Sequence, residues 1–194
     1  MLKDANLVAI ILAAGESKRL KSPKQLLKWK GKTLLNHTIN QLKPIFKESI
    51  IVVTGASNKE IEQSIEHQNI SVVNNKNWQQ GMGSSIANAI HNITDKQYLG
   101  ALITLCDMPH LNTRDYQKML AFYNGDKIVA TDRNKTPGVP AIFPSKYFTA
   151  LSSLTEDYGA KNILKQENPE LLNIANAFID IDTKEDYQDL IRFK

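Results

Sequence analysis

Three stretches of this chain are apolar at nearly every position: Leu7–Leu12, Ile50–Val53 and Leu99–Leu105. A strand with one wet face alternates polar and apolar residues, so a run without alternation must be covered on both faces. Weaker strand patterns lie at Ile70–Val73, Lys127–Ala130 and Val139–Phe143. Helix-period segments separate them, at about Leu34–Phe46, Lys59–His67, Ser84–Ile93, Thr113–Tyr123 and Ser145–Leu154. Thr183-Lys184-Glu185-Asp186 reads as a capping box opening a last helix, with Asp in place of Glu. This alternation predicts an α/β fold with a mainly parallel sheet and helices on both sides. Ligands of such sheets bind beyond the carboxyl ends of the strands. The segments after Leu12 and after Leu105 should therefore meet. The polar, proline-bearing segment Thr131–Pro140 reads as a long loop over that site.

The chain has 194 residues, with no repeat, low-complexity tract or linker, and reads as a single domain over 1–194. It contains one cysteine, Cys106, which excludes an internal disulfide and a cysteine zinc site. His37, His67, His91 and His110 have no metal-ligand spacing. The longest apolar run, Leu7–Ala14, is far too short to span a membrane, and Asp4 stands where a signal peptide would be basic. A cytoplasmic protein is expected. Net charge is +4, but the basic residues cluster locally at Lys18, Arg19, Lys21, Lys24, Lys28, Lys30 and Lys32. A cluster confined to one segment suits a small phosphorylated ligand better than nucleic acid.

That segment follows the first strand directly, as Ala13-Ala14-Gly15-Glu16-Ser17-Lys18-Arg19 and on to Lys24. Small residues allow a ligand close to the backbone amides, and Arg19 and Lys24 can neutralise phosphate charge. It is not a P-loop, because Leu20 occupies the second glycine position. Asp107, in Cys106-Asp107-Met108-Pro109, ends a buried strand and is placed to hold Mg²⁺ against phosphate oxygens; a plain turn-starting Asp is the alternative. Asp180 and Asp182 are two apart and face one side of an extended segment. One of them, with Asp182 preferred, can complete the metal site. Gly81-Met82-Gly83-Ser84-Ser85 opens a helix and offers amide and hydroxyl donors to a base or ribose, or serves only as a glycine-rich cap. Its third dinucleotide-motif glycine is replaced by Ile86. No Ser/His/Asp hydrolase motif is evident, and His110 reads as a loop residue.

Leu12-Ala13-Ala14-Gly15-Glu16-Ser17-Lys18-Arg19 with Lys24 resembles the L-A-A-G-x-S-x-R-M-G-x-x-K signature of MobA-like nucleotidyltransferases. The branch it most resembles is molybdenum cofactor cytidylyltransferase. The resemblance runs on through Gly31, Asn74–Trp78, Gly81–Ser85, Asp107-Met108-Pro109, Gly138-Val139-Pro140, Asp157–Lys161 and Asp180–Asp186. It departs at Leu20-Lys21 (family Met-Gly), at Val139 (often His), and at Glu156 and Lys161 (Gly and Arg). The resemblance implies a Rossmann-like three-layer sandwich of the nucleotide-diphospho-sugar transferase type, and Mg²⁺-dependent transfer of a nucleotidyl group with release of pyrophosphate. It implies that Leu12, Ala13, Ala14 and Gly15 hold the nucleotide with Gly81, Ser84 and Ser85 nearby. Arg19 and Lys24 would bind phosphates, and Asp107, with Asp182, would bind Mg²⁺. The double alanine points to CTP, and the branch implies molybdopterin as acceptor and a molybdoenzyme as partner. A sugar phosphate is the rival acceptor, and a non-catalytic cofactor-binding chaperone is the rival class.

Overall fold

The computed structural model describes residues 6–155 and 157–192. Asp4 and Glu156, used above, lie outside the described residues. In chain order the elements are β1 (Leu7–Leu12), β2 (Lys28–Trp29), β3 (Lys32–Thr33), α1 (Leu34–Phe46), β4 (Ile50–Thr54), α2 (Asn58–Ile65), β5 (Ser71–Asn74) and α3 (Met82–His91). There follow β6 (Gly100–Leu105), α4 (Thr113–Phe122), β7 (Val129–Arg133), β8 (Thr136–Pro144), α5 (Phe148–Ser152), α6 (Lys161–Gln166), β9 (Glu170–Leu172) and α7 (Lys184–Arg192).

The main sheet has the order β5-β4-β1-β6-β8-β7-β9. Pairing is parallel between β1 and β4, β1 and β6, β4 and β5, and β7 and β9. It is antiparallel on both sides of β8. The unbroken apolar runs are explained by where their side chains go. Leu7, Ala9 and Ile11 of β1 enter one core with α1, α2 and α4, while Val8, Ile10 and Leu12 enter a second core with α3, α5 and α6. Helices therefore cover both faces, and the fold is the three-layer α/β sandwich expected. Among the described residues no helix is long and apolar enough to cross a membrane.

Local chemistry sets the helix starts. The Thr33 hydroxyl accepts from the Asn36 amide at 3.1 Å and caps α1. At α7, Thr183 Oγ1 accepts from the Asp186 amide at 3.1 Å and Asp186 Oδ2 accepts from the Thr183 amide at 2.8 Å, the expected capping box. Ile39 of α1 is fully buried against the β1 face. Ile39→Ala should lower unfolding stability by about 2–5 kcal/mol through lost burial and a residual cavity, read as an earlier midpoint in urea titration.

One expectation is corrected. Thr131–Pro140 is not a loop; it forms most of the β7–β8 hairpin. Its turn is made by Asn134 and Lys135, both at positive φ (53° and 64°), the pattern that matches strand twist in two-residue hairpins. Thr131 Oγ1 donates to the Pro140 carbonyl at 2.8 Å inside the hairpin. The outer half projects past the cores and so carries polar residues.

Candidate active site

Two strands set the geometry. β1 and β6 run parallel, with Leu12 opposite Leu105. The chain leaving β1 as Ala13-Ala14-Gly15 and the chain leaving β6 as Cys106-Asp107 thus emerge side by side at the carboxyl edge. A cavity of about 630 Å³ opens there, lined among others by Leu12–Lys18, Lys24, Gln25, Gly81, Ser85 and Asp107.

The floor of the cavity is tightly built. The Ala13 amide donates to the Val53 carbonyl at 2.8 Å and the Ala56 amide donates to the Ala14 carbonyl at 3.1 Å. A Cβ on Gly55 would approach the Ala14 carbonyl oxygen and Trp78 Cβ to 2.7 Å, so only glycine lets β4 close on this turn. Beneath it lies Gln25, 1% exposed, which the sequence reading passed over. Its Nε2 donates to the carbonyls of Ala13 (2.8 Å) and Gly15 (2.9 Å). Gln25→Leu would strand both, and should cost about 1–3 kcal/mol of stability, measured by equilibrium unfolding. A glutamine inside a lysine-rich stretch gives no sequence signal of burial.

Charge converges on one side. The Lys24 ammonium donates to Asp107 Oδ2 and, at 2.9 Å, to Asp182 Oδ1. Arg19 donates to Asp182 Oδ2 at 2.8 Å. The Lys24 amide donates to Ser17 Oγ at 3.0 Å, folding the basic segment back over the edge of the sheet. Asp107 is buried (4% exposed), and its Oδ1 has no hydrogen-bond partner among the described residues. Burial pushes the Asp107 carboxyl up, against the pull of the Lys24 ammonium. Burial also opposes the Lys24 charge, but the Asp107 carboxylate and hydrogen bonds to Asp107 and Asp182 outweigh it and hold Lys24 above its ordinary value. At Asp182 partial burial is outweighed by Lys24 and Arg19, and the carboxyl is held low.

The two acids near the last helix part company. Asp182 joins the Lys24 cluster, while Asp180 is bound by Arg133, at 3.0 Å from Nη1 to Oδ2 and 3.1 Å from Nη2 to Oδ1. Gly81 has φ +106°, and a Cβ there would come within 2.1 Å of Asp157 Oδ1, so it closes that wall. Ser84 faces inward: its hydroxyl donates to the Gly81 (2.8 Å) or Asn77 (3.1 Å) carbonyl and accepts from Asn75 Nδ2 at 2.8 Å. Asn75 also donates to Ser85 Oγ at 3.0 Å. Of the two serines only Ser85 lines the cavity; Arg19 and Asp182 are not among its lining residues, and Asp182 is tied to it through Lys24. His110 packs edge-on to Trp29, with ring centroids 5.7 Å apart, as a loop residue. The cleft offers small-residue backbone with Lys24 and Asp107, and Asp182 and Arg19 are joined to it through Lys24; the set suits an anionic ligand carried with a divalent ion.

Residues 9–171 match the family model described as the MobA-like NTP transferase domain. The bifunctional protein GlmU of Francisella philomiragia is 29% identical over 181 residues, which are 90% of this chain but only 39% of that protein's length. Among solved structures, Rv0371c of Mycobacterium tuberculosis in complex with manganese superposes with a TM-score of 0.81 at 21% identity, covering 96% of this chain and 98% of that one. Molybdopterin-guanine dinucleotide biosynthesis protein A of Archaeoglobus fulgidus gives 0.70 at 14% identity, covering 95% and 97%. At such identities the structural likeness speaks for the fold alone.

Proposed function

From the chain's membership of the MobA-like NTP transferase family, we propose that it transfers CMP from CTP to a phosphorylated acceptor, molybdopterin, and releases pyrophosphate. The observation that carries this reading is the Lys24 bridge between Asp107 and Asp182, beside the Ala13–Gly15 turn. CTP rather than GTP rests on the double alanine after β1, and molybdopterin rests on the resemblance of the wider motif set.

Asp107 and Asp182 are the residues that would hold a divalent ion, with Mg²⁺ the ion proposed. The buried Oδ1 of Asp107 fits that assignment, since it has an electron pair to offer and no donor among the described residues to take it. The manganese complex of the mycobacterial structural relative supports a divalent ion as the class of cofactor. Asp180, occupied by Arg133, is left out. When bound, the ion supplies charge neutralisation at the reacting phosphates.

The chain's own residues do the rest. The turn at Ala13–Gly15, braced by Gln25, receives the nucleotide against its backbone. Lys24 and Arg19 exchange their carboxylate partners for the phosphates and stabilise charge on the departing pyrophosphate. The acceptor phosphate oxygen is already ionised, so alignment for in-line attack matters more than a protein base. That agrees with a cleft in which, among the described residues, no histidine is part of the lining. The test is pyrophosphate release with each NTP, with and without molybdopterin or sugar phosphates. Release with CTP and molybdopterin together is expected. Release only with a sugar phosphate overturns the acceptor, and nucleotide binding without release under any condition overturns the enzyme.

A further inference from the structure

Arg133 lies at the end of β7, is not among the residues lining the cavity, and has both terminal guanidinium nitrogens engaged. Besides both oxygens of Asp180, it donates from Nη2 to the Ala177 carbonyl at 2.7 Å and touches Met108 Sδ at 3.5 Å. Its Nε is buried with no partner among the described residues. Gly138 on the facing strand makes the room, since a Cβ there would stand 3.0 Å from Arg133 Cδ. The segment it grips is short and tied at every residue. Asp180 binds Arg133, the Ile181 amide donates to the Asp107 carbonyl at 2.9 Å, and Asp182 binds Lys24. Ile181 is buried among Trp29, Leu34 and Leu190. The Asp182 amide also donates to Asp186 Oδ2 at 3.0 Å, so the hold of Arg133 on Asp180 is the anchor on the N-terminal side of a segment tied on both sides.

We infer that Arg133 is a positioning residue for the cation site: through Asp180 it fixes Asp182 opposite Asp107, and it touches neither nucleotide nor ion. The inference rests on the metal reading proposed above. A two-point guanidinium–carboxylate contact fixes orientation as well as distance, which a lysine ammonium cannot reproduce. Groups that orient metal ligands in this way commonly change metal affinity about 10- to 100-fold when removed.

Deleting Arg133 alone would also alter local charge, so the test is the charge-balanced pair Arg133→Met/Asp180→Asn, with Arg133→Lys as the charge-conserving partner. The probe is Mn²⁺, counted as free and bound ion by its paramagnetic resonance, with CTP present. The double variant should bind Mn²⁺ at least about tenfold more weakly, and Arg133→Lys should fall between it and the unchanged protein. The Mn²⁺ concentration for half-maximal pyrophosphate release should rise in step, while the KM for CTP at saturating Mn²⁺ stays within twofold. Unchanged Mn²⁺ affinity in the double variant, or in Arg133→Lys should the double variant not fold, overturns the inference. Absence of Mn²⁺ binding by the unchanged protein would instead remove the metal reading, so the two failures are distinct.

Discussion

Lys24→Met should lower pyrophosphate release by about 10²–10³-fold while tightening the binding of Mn²⁺ in the absence of nucleotide. Both effects come from one geometry. The Lys24 ammonium holds Asp107 and Asp182 at once, and a cation using those oxygens must displace it. With nucleotide present, the displaced ammonium gains the phosphates as partners. Without nucleotide it gains nothing, so lysine and ion compete. Removing the lysine removes that competition, and coupling between such ligands is typically about 5- to 150-fold. The same variant leaves the Asp107 carboxylate buried without its counter-charge, a change that destabilises by about 3–5 kcal/mol in comparable buried pairs. Mn²⁺ should therefore raise the melting temperature of Lys24→Met more than that of the unchanged protein. A variant that loses activity but shows no such gain in metal binding would mean that Lys24 acts only on phosphate, away from the ion.

Asp107→Asn should be equally damaging to turnover, by about 10²–10³-fold, for a different reason. The amide keeps the shape and can still accept from Lys24 but carries no negative charge for an ion. Lys24 retains Asp182 as an ionic partner, so the fold should survive, with circular dichroism unchanged. Raising Mn²⁺ should not restore the rate, because the deeper of the two carboxylates is gone. Activity recovered at high metal would reduce Asp107 to an accessory role.

What could be read in the sequence follows from how local each signal is. β1, β4 and β6 announce themselves because both of their faces are buried, leaving only a buried threonine in β4 and in β6 to interrupt the apolar runs. The meeting of Lys24 with Asp107, 83 positions apart, was legible through the general rule that parallel sheets place successive loops at one edge. The inner halves of β7 and β8 were legible as strand patterns at Lys127–Ala130 and Val139–Phe143, but the outer half of the hairpin was not, since Thr131, Asp132 and Arg133 look like loop residues until their strand partners are known. β9, only three residues long, and the two-residue strands β2 and β3 are too short to show a period. Gln25 and Arg133 were missed for a shared reason. Polar side chains that are buried by tertiary contacts carry no mark in their own neighbourhood. The separation of Asp180 from Asp182 likewise depends on Arg133, 47 positions from Asp180; the sequence favoured Asp182 but carried no sign of the partner that takes Asp180.

The most direct check is the anomalous scattering of Mn²⁺ in crystals grown with a non-hydrolysable CTP analogue. The expected result is a single strong peak within coordination distance of both Asp107 and Asp182, with the Lys24 ammonium moved onto the phosphates and the cytosine nucleotide seated along Ala13–Gly15. A peak elsewhere, or a bound nucleotide with Lys24 still spanning the two carboxylates, would contradict the proposed site.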